Sequence, residues 1–535
     1  MKEFLLLGDE AIAQGAIDGG MSGVYAYPGT PSTEITEYVQ RSRTATELKI
    51  HSEWSSNEKT AMEEAIGMSY AGKRAMVCMK HVGLNVAADA FVNAAITGAN
   101  GGLLVVVADD PSMHSSQNEQ DSRFYAKFSM IPVLEPSTQQ EAYDMAYYGF
   151  ELSEKHNIPV MIRLTTRLAH SRAMVLGKVR KEQNKLSLPE NPTQYVLLPA
   201  LARGKYQTLI KKQAVITEDA ATSHFNAMYP GEDHTLGIVA CGITFNYLNE
   251  VFENGQIPYP VLKIGQYPLP TQMLKTFVDQ CDELLILEEG YPYIEEVLAN
   301  PYHDHKPIHG RLSGKIPRTG ELNPKIVAQA LDLQWEPTHT APDWLVGRPP
   351  SMCKGCTHIE VFHELNEAIK KYGKGRVFSD IGCYTLGALP PFNSINSCVD
   401  MGASITMAKG AADAGLTPAV AVIGDSTFTH SGMTGLLDAI YENSPITVII
   451  SDNSTTAMTG GQTSIGTGRL DEICIGLGAD PEHVHTFEPT RSNRKETVEI
   501  IQRELEYDGL SVIIPKRECV QTAKRNKKLK KLAIQ

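Results

Sequence analysis

The chain has 535 residues and a formal net charge of -13, and its composition is 42% hydrophobic and 21% charged. This length allows about three domains with ordinary hydrophobic cores. The composition excludes a disordered or fibrous chain. The acidic balance disfavours a nucleic-acid binder, because neutralising phosphates requires a basic face. The apolar runs are too short for a signal peptide or for a membrane span of about 20 residues. Nine cysteines, an odd number, suit a reducing compartment, so we expect a cytoplasmic protein.

Short apolar runs of strand length recur along the chain between stretches of helical length. They lie at residues 103–107, 159–162, 284–287, 419–423 and 446–450. Runs that are apolar on both faces are typical of buried parallel strands, and the helical stretches between them fit crossover connections. The pattern therefore predicts repeated βαβ units and an α/β fold.

Two proline-containing stretches, 183–199 and 310–350, are predicted to be linkers. They divide the chain into three predicted domains at 1–182, 196–335 and 346–520. The last residues, 521–535, are rich in lysine. We predict a solvated basic tail there, with a docking patch for a partner as the alternative.

The strongest chemical signal lies in the third predicted domain, at the ends of two strands. The first strand runs into Gly424, Asp425 and Ser426, and the next is followed by Asn453 and Thr455. Carboxylate and amide oxygens with a nearby backbone carbonyl are hard ligands for Mg²⁺, which keeps other coordination positions for a diphosphate. A glycine lets the backbone approach the phosphates closely. This spacing resembles the thiamine diphosphate motif, although taken alone it also fits a turn after a buried strand.

A second constellation consists of four cysteines in the same predicted domain. Cys353 and Cys356 form a CxxC motif, and Cys383 and Cys519 each follow a predicted strand. Thiolates at the strand ends of one parallel sheet can converge, and four of them suit a [4Fe-4S] cluster. The CxxC motif alone fits a zinc site or a redox pair equally well.

Five motifs in order along the chain carry a family resemblance. They are Tyr27–Ser32, Asn57–Ala61, Met79–Asn85, Asp380–Tyr384 and Asp452–Gly460. From about residue 5 to residue 520 the sequence resembles the alpha subunits of indolepyruvate ferredoxin oxidoreductases, in the thiamine diphosphate-dependent 2-oxoacid:ferredoxin oxidoreductase superfamily. The resemblance implies a pyrimidine-binding thiamine domain at 1–182 and a transketolase C-terminal-like domain at 196–335. It also implies a diphosphate- and Mg²⁺-binding thiamine domain at 346–520.

The resemblance implies roles for four residues of the first predicted domain. Glu58 is expected to hydrogen-bond the aminopyrimidine ring of thiamine, with Glu53 as a weaker candidate. Thr30 is expected to face the cofactor and the substrate, and a helix cap is its structural alternative. Arg123 is expected to bind the substrate carboxylate and His81 to carry a proton. A surface salt bridge and a structural histidine are the alternatives for these two residues.

The resemblance also implies the ligand sets of the third predicted domain. Thiamine diphosphate is expected to contact Gly382, Gly424, Asp425, Ser426, Asn453 and Thr455, and Mg²⁺ to be held by Asp425, Asn453 and Thr455. The four cysteines resemble the proximal [4Fe-4S] site in the beta subunits of the oxoglutarate-type enzymes.

The implied reaction is oxidative decarboxylation of a 2-oxoacid, an aryl pyruvate such as indolepyruvate, to an acyl-CoA with ferredoxin as electron acceptor. The implied partners are a small beta- or gamma-type subunit, ferredoxin, coenzyme A and a second alpha chain in a dimer, with no nucleic acid and no membrane. The resembling enzymes continue into a ferredoxin-like domain that this sequence does not show, so electrons are expected to leave directly to an external carrier or through a separate subunit. Two other functions stay open: a non-oxidative thiamine decarboxylase or carboligase, and a non-catalytic partner-binding subunit.

Overall fold

The computed structural model describes residues 2–252, 255–299, 306–335, 342–347 and 349–534. They form two compact units, Met1–Thr340 (unit 1) and Ala341–Gln535 (unit 2). Each unit contains a mainly parallel sheet covered by helices, so the predicted α/β class is confirmed. No described helix has the length and apolar character needed to cross a bilayer.

Unit 1 contains fourteen described strands and thirteen described helices. The strands are β1 (Glu3–Leu7), β2 (Gly23–Ala26), β3 (His51–Trp54), β4 (Ala75–Lys80), β5 (Leu103–Asp109), β6 (Val133–Leu134), β7 (Val160–Thr165), β8 (Arg172–Leu176), β9 (Ala227–Tyr229), β10 (Leu236–Cys241), β11 (Val261–Ile264), β12 (Gln266–Tyr267), β13 (Glu283–Leu287) and β14 (Ile308–His309). The helices are α1 (Gly8–Asp18), α2 (Thr33–Arg41), α3 (Arg43–Glu47), α4 (Glu58–Tyr70), α5 (His81–Thr97), α6 (Arg123–Ser129), α7 (Gln139–His156), α8 (Thr166–His170), α9 (Pro199–Thr222), α10 (Ile243–Val251), α11 (Thr271–Asp279), α12 (Tyr293–Leu298) and α13 (Pro324–Ala330).

Unit 1 has two main sheets. The larger has the strand order β12-β6-β7-β5-β4-β2-β3 and is parallel except for β12, and the smaller has the order β14-β13-β10-β11-β9 and is parallel except for β9. Strands β4 and β5 are buried along their whole length, as their apolar sequences require. Strand β12 lies in the predicted second domain, yet it pairs with β6 of the predicted first domain. The two predicted domains therefore share a sheet within unit 1.

The two predicted linkers differ from each other. Residues 183–198 contain no described helix or strand, but their backbone is held to the rest of unit 1. The Asn184 side chain donates to the carbonyl of Gly72 (3.1 Å), and the N–H of Ser187 donates to the carbonyl of Ala71 (3.0 Å). The second stretch contains helix α13, so only part of it can act as a linker.

Unit 2 contains the remaining eight described strands and seven described helices. The strands are β15 (Val377–Ser379), β16 (Ser397–Cys398), β17 (Ala419–Gly424), β18 (Ile446–Ser451), β19 (Thr455–Thr456), β20 (Gln462–Thr463), β21 (Val484–Phe487) and β22 (Ser511–Pro515). The helices are α14 (Thr357–Ile369), α15 (Ala403–Asp413), α16 (Asp425–Thr427), α17 (Met433–Tyr441), α18 (Leu470–Gly476), α19 (Arg494–Glu506) and α20 (Val520–Ile534).

The main sheet of unit 2 is parallel throughout and has the order β16-β15-β17-β18-β22-β21. Strands β17, β18 and β22 are buried along their whole length. Because parallel strands end at the same edge of a sheet, the segments after β15, β17, β18 and β22 lie at one edge. These segments contain most of the residues predicted to bind the cofactor.

The predicted basic tail forms helix α20, and the structure anchors it to unit 2. The Arg525 guanidinium donates to the carbonyls of Gly460 (2.6 Å) and Gly461 (2.7 Å). The side-chain amide of Gln521 donates to Sγ of Cys353 (3.3 Å). The described side chains from residue 524 to 528 are exposed, so the segment is a solvent-facing helix that these hydrogen bonds hold against unit 2.

Candidate active site

Asp425 and Asp452 directly follow the last residues of two neighbouring strands, β17 and β18. Gly424, the last residue of β17, pairs with Ser451, the last residue of β18. Asp425 is 2% exposed, and its Oδ2 atom has no hydrogen-bond partner in the described part of the chain. Burial and the negative charge of Asp452 raise the pKa of the Asp425 carboxyl to about 7. A buried carboxylate oxygen without a partner is costly, and a bound cation would remove that cost.

Asn453 is held on three sides. Its Oδ1 atom accepts from the N–H of Thr455 (3.2 Å), and its backbone carbonyl accepts from the N–H of Cys519 (3.0 Å). Its Nδ2 atom lies 3.3 Å from Nε2 of His358. These contacts fix the orientation of the amide that the sequence predicts to be a Mg²⁺ ligand.

His358 is a residue that the sequence reasoning missed. It is buried, its Nδ1 atom lies 2.7 Å from Oγ of Ser451, and burial lowers its pKa to about 4. The imidazole is therefore neutral near pH 7. With the proton assigned to Nδ1, which donates to Ser451, Nε2 accepts from the Asn453 amide. The available signal in the sequence is the position of His358 two residues after the CxxC motif.

Two predicted cofactor glycines have a packing role. A Cβ atom on Gly382 would lie 2.2 Å from Cε1 of Tyr384, and one on Gly424 would lie 2.5 Å from the same atom. The Tyr384 hydroxyl donates to Asp380, whose pKa burial raises to about 7. Both glycines thus make room for a buried aromatic ring, and their contact with a diphosphate stays a prediction.

Ser426 and Thr455 belong to a hydroxyl-rich loop beside Asp425. The Thr456 hydroxyl donates to Oγ of Ser426 (2.9 Å), and the Thr455 hydroxyl donates to the carbonyl of Gln462 (3.0 Å). The Thr455 side chain is therefore occupied within the loop. Because a hydroxyl that donates its proton keeps its lone pairs, a Mg²⁺ ligand from this residue would be either the hydroxyl oxygen or the backbone carbonyl.

The four predicted cluster cysteines are brought together at this edge of the sheet. All four thiols are free, and Cys356, Cys519 and Cys353 act electrostatically on Cys383. Burial, with the contribution of these three thiols, raises the pKa of Cys383 to about 12. The cost of a buried thiolate is reduced when a metal centre takes its charge. The arrangement can therefore supply four sulfur ligands.

Arg517 joins the cysteine turn to the strand ends. Its guanidinium donates to the carbonyl of Gly355 (2.8 Å), and its backbone carbonyl accepts from the hydroxyl of Thr357 (3.1 Å). Its own N–H donates to the carbonyl of Asp452 (3.0 Å). The CxxC turn, the Asp452 strand end and the segment leading to Cys519 therefore form one hydrogen-bonded framework.

Glu58 begins helix α4 in unit 1. The side chain of Asn57 caps this helix by accepting from the N–H of Thr60 (2.9 Å). Glu58 is only 5% exposed, and a Cβ atom on Gly83 would lie 2.6 Å from its Oε1 atom. Glu53 is exposed on β3. Glu58 is thus buried, whereas Glu53 is exposed. A buried carboxylate is the one that suits contact with an enclosed ligand.

Thr30 and His81 lie at the ends of β2 and β4. The Thr30 carbonyl accepts from Oγ of Ser115 (3.2 Å). His81 is 1% exposed, its Nε2 atom lies 3.3 Å from the carbonyl of Asn118, and its Nδ1 atom has no hydrogen-bond partner among the described residues. Lys80, which lies within the Met79–Asn85 motif, is also buried. Burial lowers its pKa to about 8, while the negative charges of Asp110 and Glu58 oppose this shift.

Arg123 lies in the interior of unit 1. Its side chain is fully buried, its Nη2 atom is 2.5 Å from Asp121, and its Nη1 atom is 3.0 Å from Glu288. It also donates to the carbonyls of Glu289 and Tyr291 (both 3.1 Å). Contact with a substrate carboxylate would require these bonds to break. The structure therefore favours the salt-bridge alternative, although the pair is buried and not on the surface as expected.

Comparison with known proteins finds one family model that matches within unit 1 and one that matches within unit 2. A family model described as pyruvate flavodoxin/ferredoxin oxidoreductase, thiamine diP-bdg, matches residues 14–228, and one described as thiamine pyrophosphate enzyme, C-terminal TPP binding domain, matches residues 380–514. The chain is 39% identical to indolepyruvate oxidoreductase subunit IorA of Archaeoglobus fulgidus, over 97% of this chain and 86% of that protein. It is 40% identical to subunit IorA of Pyrococcus horikoshii, with the same coverage. The chain belongs to the indolepyruvate oxidoreductase subunit IorA family.

Membership of this family confirms the resemblance inferred from the five motifs. The chain is a subunit of a thiamine diphosphate-dependent 2-oxoacid:ferredoxin oxidoreductase, which decarboxylates a 2-oxoacid oxidatively. A weaker likeness links it to a solved 2-oxoglutarate:ferredoxin oxidoreductase from Magnetococcus marinus, with a TM-score of 0.49 and 18% identity over 62% of this chain and 65% of that one. A similarity at that level has no bearing on function.

The residues present fit the cofactor of this family. Thr30 and Glu58 lie within the first matched segment, and Asp380, Asp425 and Asn453 lie within the second. The buried Oδ2 atom of Asp425, which has no hydrogen-bond partner among the described residues, has the chemistry of a ligand for a hard cation.

Proposed function

We propose that this subunit acts on an aryl pyruvate such as indolepyruvate, forms an acyl-CoA, and passes electrons through a [4Fe-4S] cluster to ferredoxin. The names of the IorA relatives support the substrate. Because those names denote a subunit, the proposal includes a small partner subunit, and from the family resemblance it also includes a second copy of this chain.

The observation that carries the proposal is the edge of the unit 2 sheet. Asp425 offers an unpartnered buried oxygen, and the Asn453 amide is oriented beside it. We assign Mg²⁺ to Asp425, Asn453 and Thr455, with the diphosphate bound to that ion. When bound, thiamine diphosphate supplies the electron sink that decarboxylation needs.

The residues of unit 1 would handle protons and the substrate. Glu58 would hold a proton opposite the aminopyrimidine ring, because its buried carboxylate can share a hydrogen bond with a ring nitrogen. The Nδ1 atom of His81, which has no hydrogen-bond partner among the described residues, would take part in a second proton transfer. Thr30 would contact the cofactor and substrate through its side chain, since its carbonyl is already bonded to Ser115.

The four thiols support the oxidative reaction over a non-oxidative decarboxylase. A hydrogen bond joins the Cys519 N–H directly to the carbonyl of Asn453. The sulfur site and the diphosphate site would therefore be immediate neighbours, which suits electron transfer from the cofactor to a cluster. A non-oxidative enzyme has no use for four convergent thiols at this place.

The test is calorimetric titration of thiamine diphosphate with Mg²⁺ into the anaerobically purified full chain. Asp425→Ala should lose measurable binding, because it removes the anionic ligand. The control is Asp438→Asn, which changes an exposed aspartate of α17 in the same unit and should bind like the wild type. Equal binding by the Asp425 variant would contradict the assignment.

A further inference from the structure

A second group of metal-binding side chains lies in unit 1, apart from the residues assigned above. One ligand atom each from Asp9, Glu34 and His170 lies within 4.8 Å of the other two. Asp9 is in the first turn of α1, Glu34 is in the first turn of α2, and His170 ends α8. An ion bound at about 2.1 Å from each donor would hold the donors about 4.2 Å apart at most. His170 Nε2 and Glu34 Oε2, 3.5 Å apart, meet this limit, and Asp9, within 4.8 Å of both, would reach it with a small side-chain movement.

Asp9 is the most informative member of this group. Its side chain is completely buried, and neither carboxylate oxygen has a hydrogen-bond partner among the described residues. A carboxylate in the first turn of a helix usually accepts from backbone N–H groups there. Asp9 does not do so, and its oxygens lie instead beside Glu34 and His170. Capping therefore does not explain why a carboxylate is buried at this position.

The backbone is packed to bring these residues together. A Cβ atom on Gly8 would lie 2.2 Å from the carbonyl oxygen of Leu168, so only glycine allows α1 to begin this close to α8. This contact places Asp9 near His170, two residues beyond Leu168. His170 Nε2 also lies 3.5 Å from Oε2 of Glu34, and both of these side chains are partly exposed. The buried Asp9 thus forms the floor of a site that solvent can reach.

The charges around Asp9 favour a cation. Burial raises the pKa of its carboxyl well above the usual value, and the negative charges of Glu34 and Glu10 raise it further. Glu34 pairs with the imidazole of His170, which lowers the pKa of Glu34 and raises the pKa of His170, so it is Asp9 that lacks a positive partner among the described residues. A metal ion that replaces the proton of this imidazole would balance both carboxylates. The neutral imidazole of His170 would add a nitrogen ligand, and imidazole is the commonest metal ligand in proteins.

We propose that Asp9, Glu34 and His170 bind one divalent transition-metal ion through two carboxylate oxygens and one imidazole nitrogen. This ligand set suits Mn²⁺, Fe²⁺ or Zn²⁺ better than Mg²⁺, because imidazole is a softer donor than oxygen. Three protein ligands leave coordination positions for water on the exposed side of the site.

The experiment is a titration of the chelator-treated, cofactor-free full chain with Mn²⁺, followed by electron paramagnetic resonance. Mn²⁺ is the probe because thiolates bind it poorly, so the four cysteines do not compete. We expect one Mn²⁺ per chain with nitrogen couplings from one histidine in the pulsed spectrum. Asp9→Asn, which keeps the shape of the buried side chain, and His170→Gln should each lose this ion.

Two further variants make the result specific. His309→Gln is the matched control, because His309 Nε2 lies 3.1 Å from Glu283 Oε2 in a comparably exposed pair that has no buried aspartate. Asp425→Ala should keep the histidine-coupled ion, which separates this proposal from the proposed Mg²⁺ site. Bound Mn²⁺ should also raise the melting temperature of the wild type but not of His170→Gln.

Three outcomes would overturn the proposal. They are no bound Mn²⁺ in the wild type, a spectrum without nitrogen coupling, and unchanged binding in the His170 variant. The first of these would show that burial keeps Asp9 protonated and that Glu34 pairs with protonated His170 in place of an ion.

Discussion

Each unit buries a cluster of charged side chains, and the two clusters use their charges differently. In unit 1, Arg163 pairs with Asp109 (2.6 Å), and Arg123 pairs with Asp121 and Glu288. Both guanidinium groups are completely buried and surrounded by carboxylates of the same chain. In unit 2, Asp425 is nearly as buried, yet the charge that acts on its pKa is the negative Asp452, and its Oδ2 atom has no hydrogen-bond partner among the described residues.

The difference separates structural from functional buried charge. When a buried charge is fully paired within the chain, it has no hydrogen-bonding capacity left for a ligand. Removing one partner leaves the other as an uncompensated buried charge. An unpaired buried carboxylate oxygen has a cost that is offset when the carboxyl takes up a proton or when a cation binds to it. The following predictions test this distinction, beginning with the variant that should have the largest effect.

Cys519→Ser should abolish electron transfer to ferredoxin or a viologen dye. We expect about four irons per chain in the wild type and loss of the cluster in the variant, measured by iron and sulfide analysis and by absorption near 400 nm. Cys519 is far from the CxxC motif in sequence, so the result tests the folded convergence of the four thiols. A colourless wild type that contains zinc would contradict the cluster.

Cys398→Ser is the control for that experiment, since Cys398 is an exposed thiol of the same unit and lies outside the four-cysteine group. It should retain the cluster and the dye activity. Full dye reduction by the Cys519 variant would mean that another group is the fourth ligand.

Glu58→Gln should slow exchange of the thiazolium C2 proton on bound thiamine diphosphate by about 10²- to 10⁴-fold. An amide cannot stabilise a proton on the aminopyrimidine ring, whereas cofactor binding should persist. Nuclear magnetic resonance measures the exchange directly. Glu53→Gln changes an exposed glutamate five residues earlier and should leave the rate unchanged. The opposite pattern would transfer the role to Glu53.

Arg123→Met should lower the free energy of unfolding by about 3–5 kcal/mol, because it leaves Asp121 and Glu288 buried without their partner. Denaturant titration of the full chain measures this loss. Arg167→Met removes a more exposed pair with Glu321 and should cost about 1 kcal/mol or less. If Arg123 instead binds the substrate carboxylate, its variant would keep its stability and raise KM.

The α/β class and the strand-end residues could be predicted because they depend on local pattern. Asp425 and Asn453 follow strands made almost entirely of apolar residues, and such strands are buried and parallel, so their ends meet at one edge. The shared sheet of unit 1 could not be predicted in this way. Strand β12 has only two residues, and its pairing with β6 joins segments more than a hundred residues apart.

The partners of each polar residue also could not be predicted from the sequence. Arg123 and Asp425 are both charged residues at the first position of a helix, and only the fold shows that one is in ion pairs and that the other has an unpaired oxygen. Gly424 is a similar case. The sequence analysis expects a diphosphate to approach this glycine, whereas the group that lies against it in the structure is the ring of Tyr384. Long-range partners decide the role in all three cases.

His358 should contribute a smaller effect through the orientation of Asn453. His358→Ala should lower the Mg²⁺-dependent affinity for thiamine diphosphate about 10- to 100-fold, the usual effect of losing a group that orients a metal ligand. His358→Gln should recover part of this loss, since its side-chain oxygen can accept from the Asn453 amide. His363→Ala, which changes an exposed histidine of the same helix, should bind normally.

A pH series distinguishes this role from simple packing. The folded protein keeps His358 neutral down to about pH 4, whereas a free histidine takes up its proton near pH 6.5. The unfolded state therefore binds more protons below pH 6.5, so His358 lowers the free energy of unfolding as the pH falls from about 6.5 to about 4, by about 3 kcal/mol at most. His358→Gln cannot take up this proton and should lose less stability over that range. If wild type and variant show the same pH dependence, His358 is not the buried neutral group that orients Asn453.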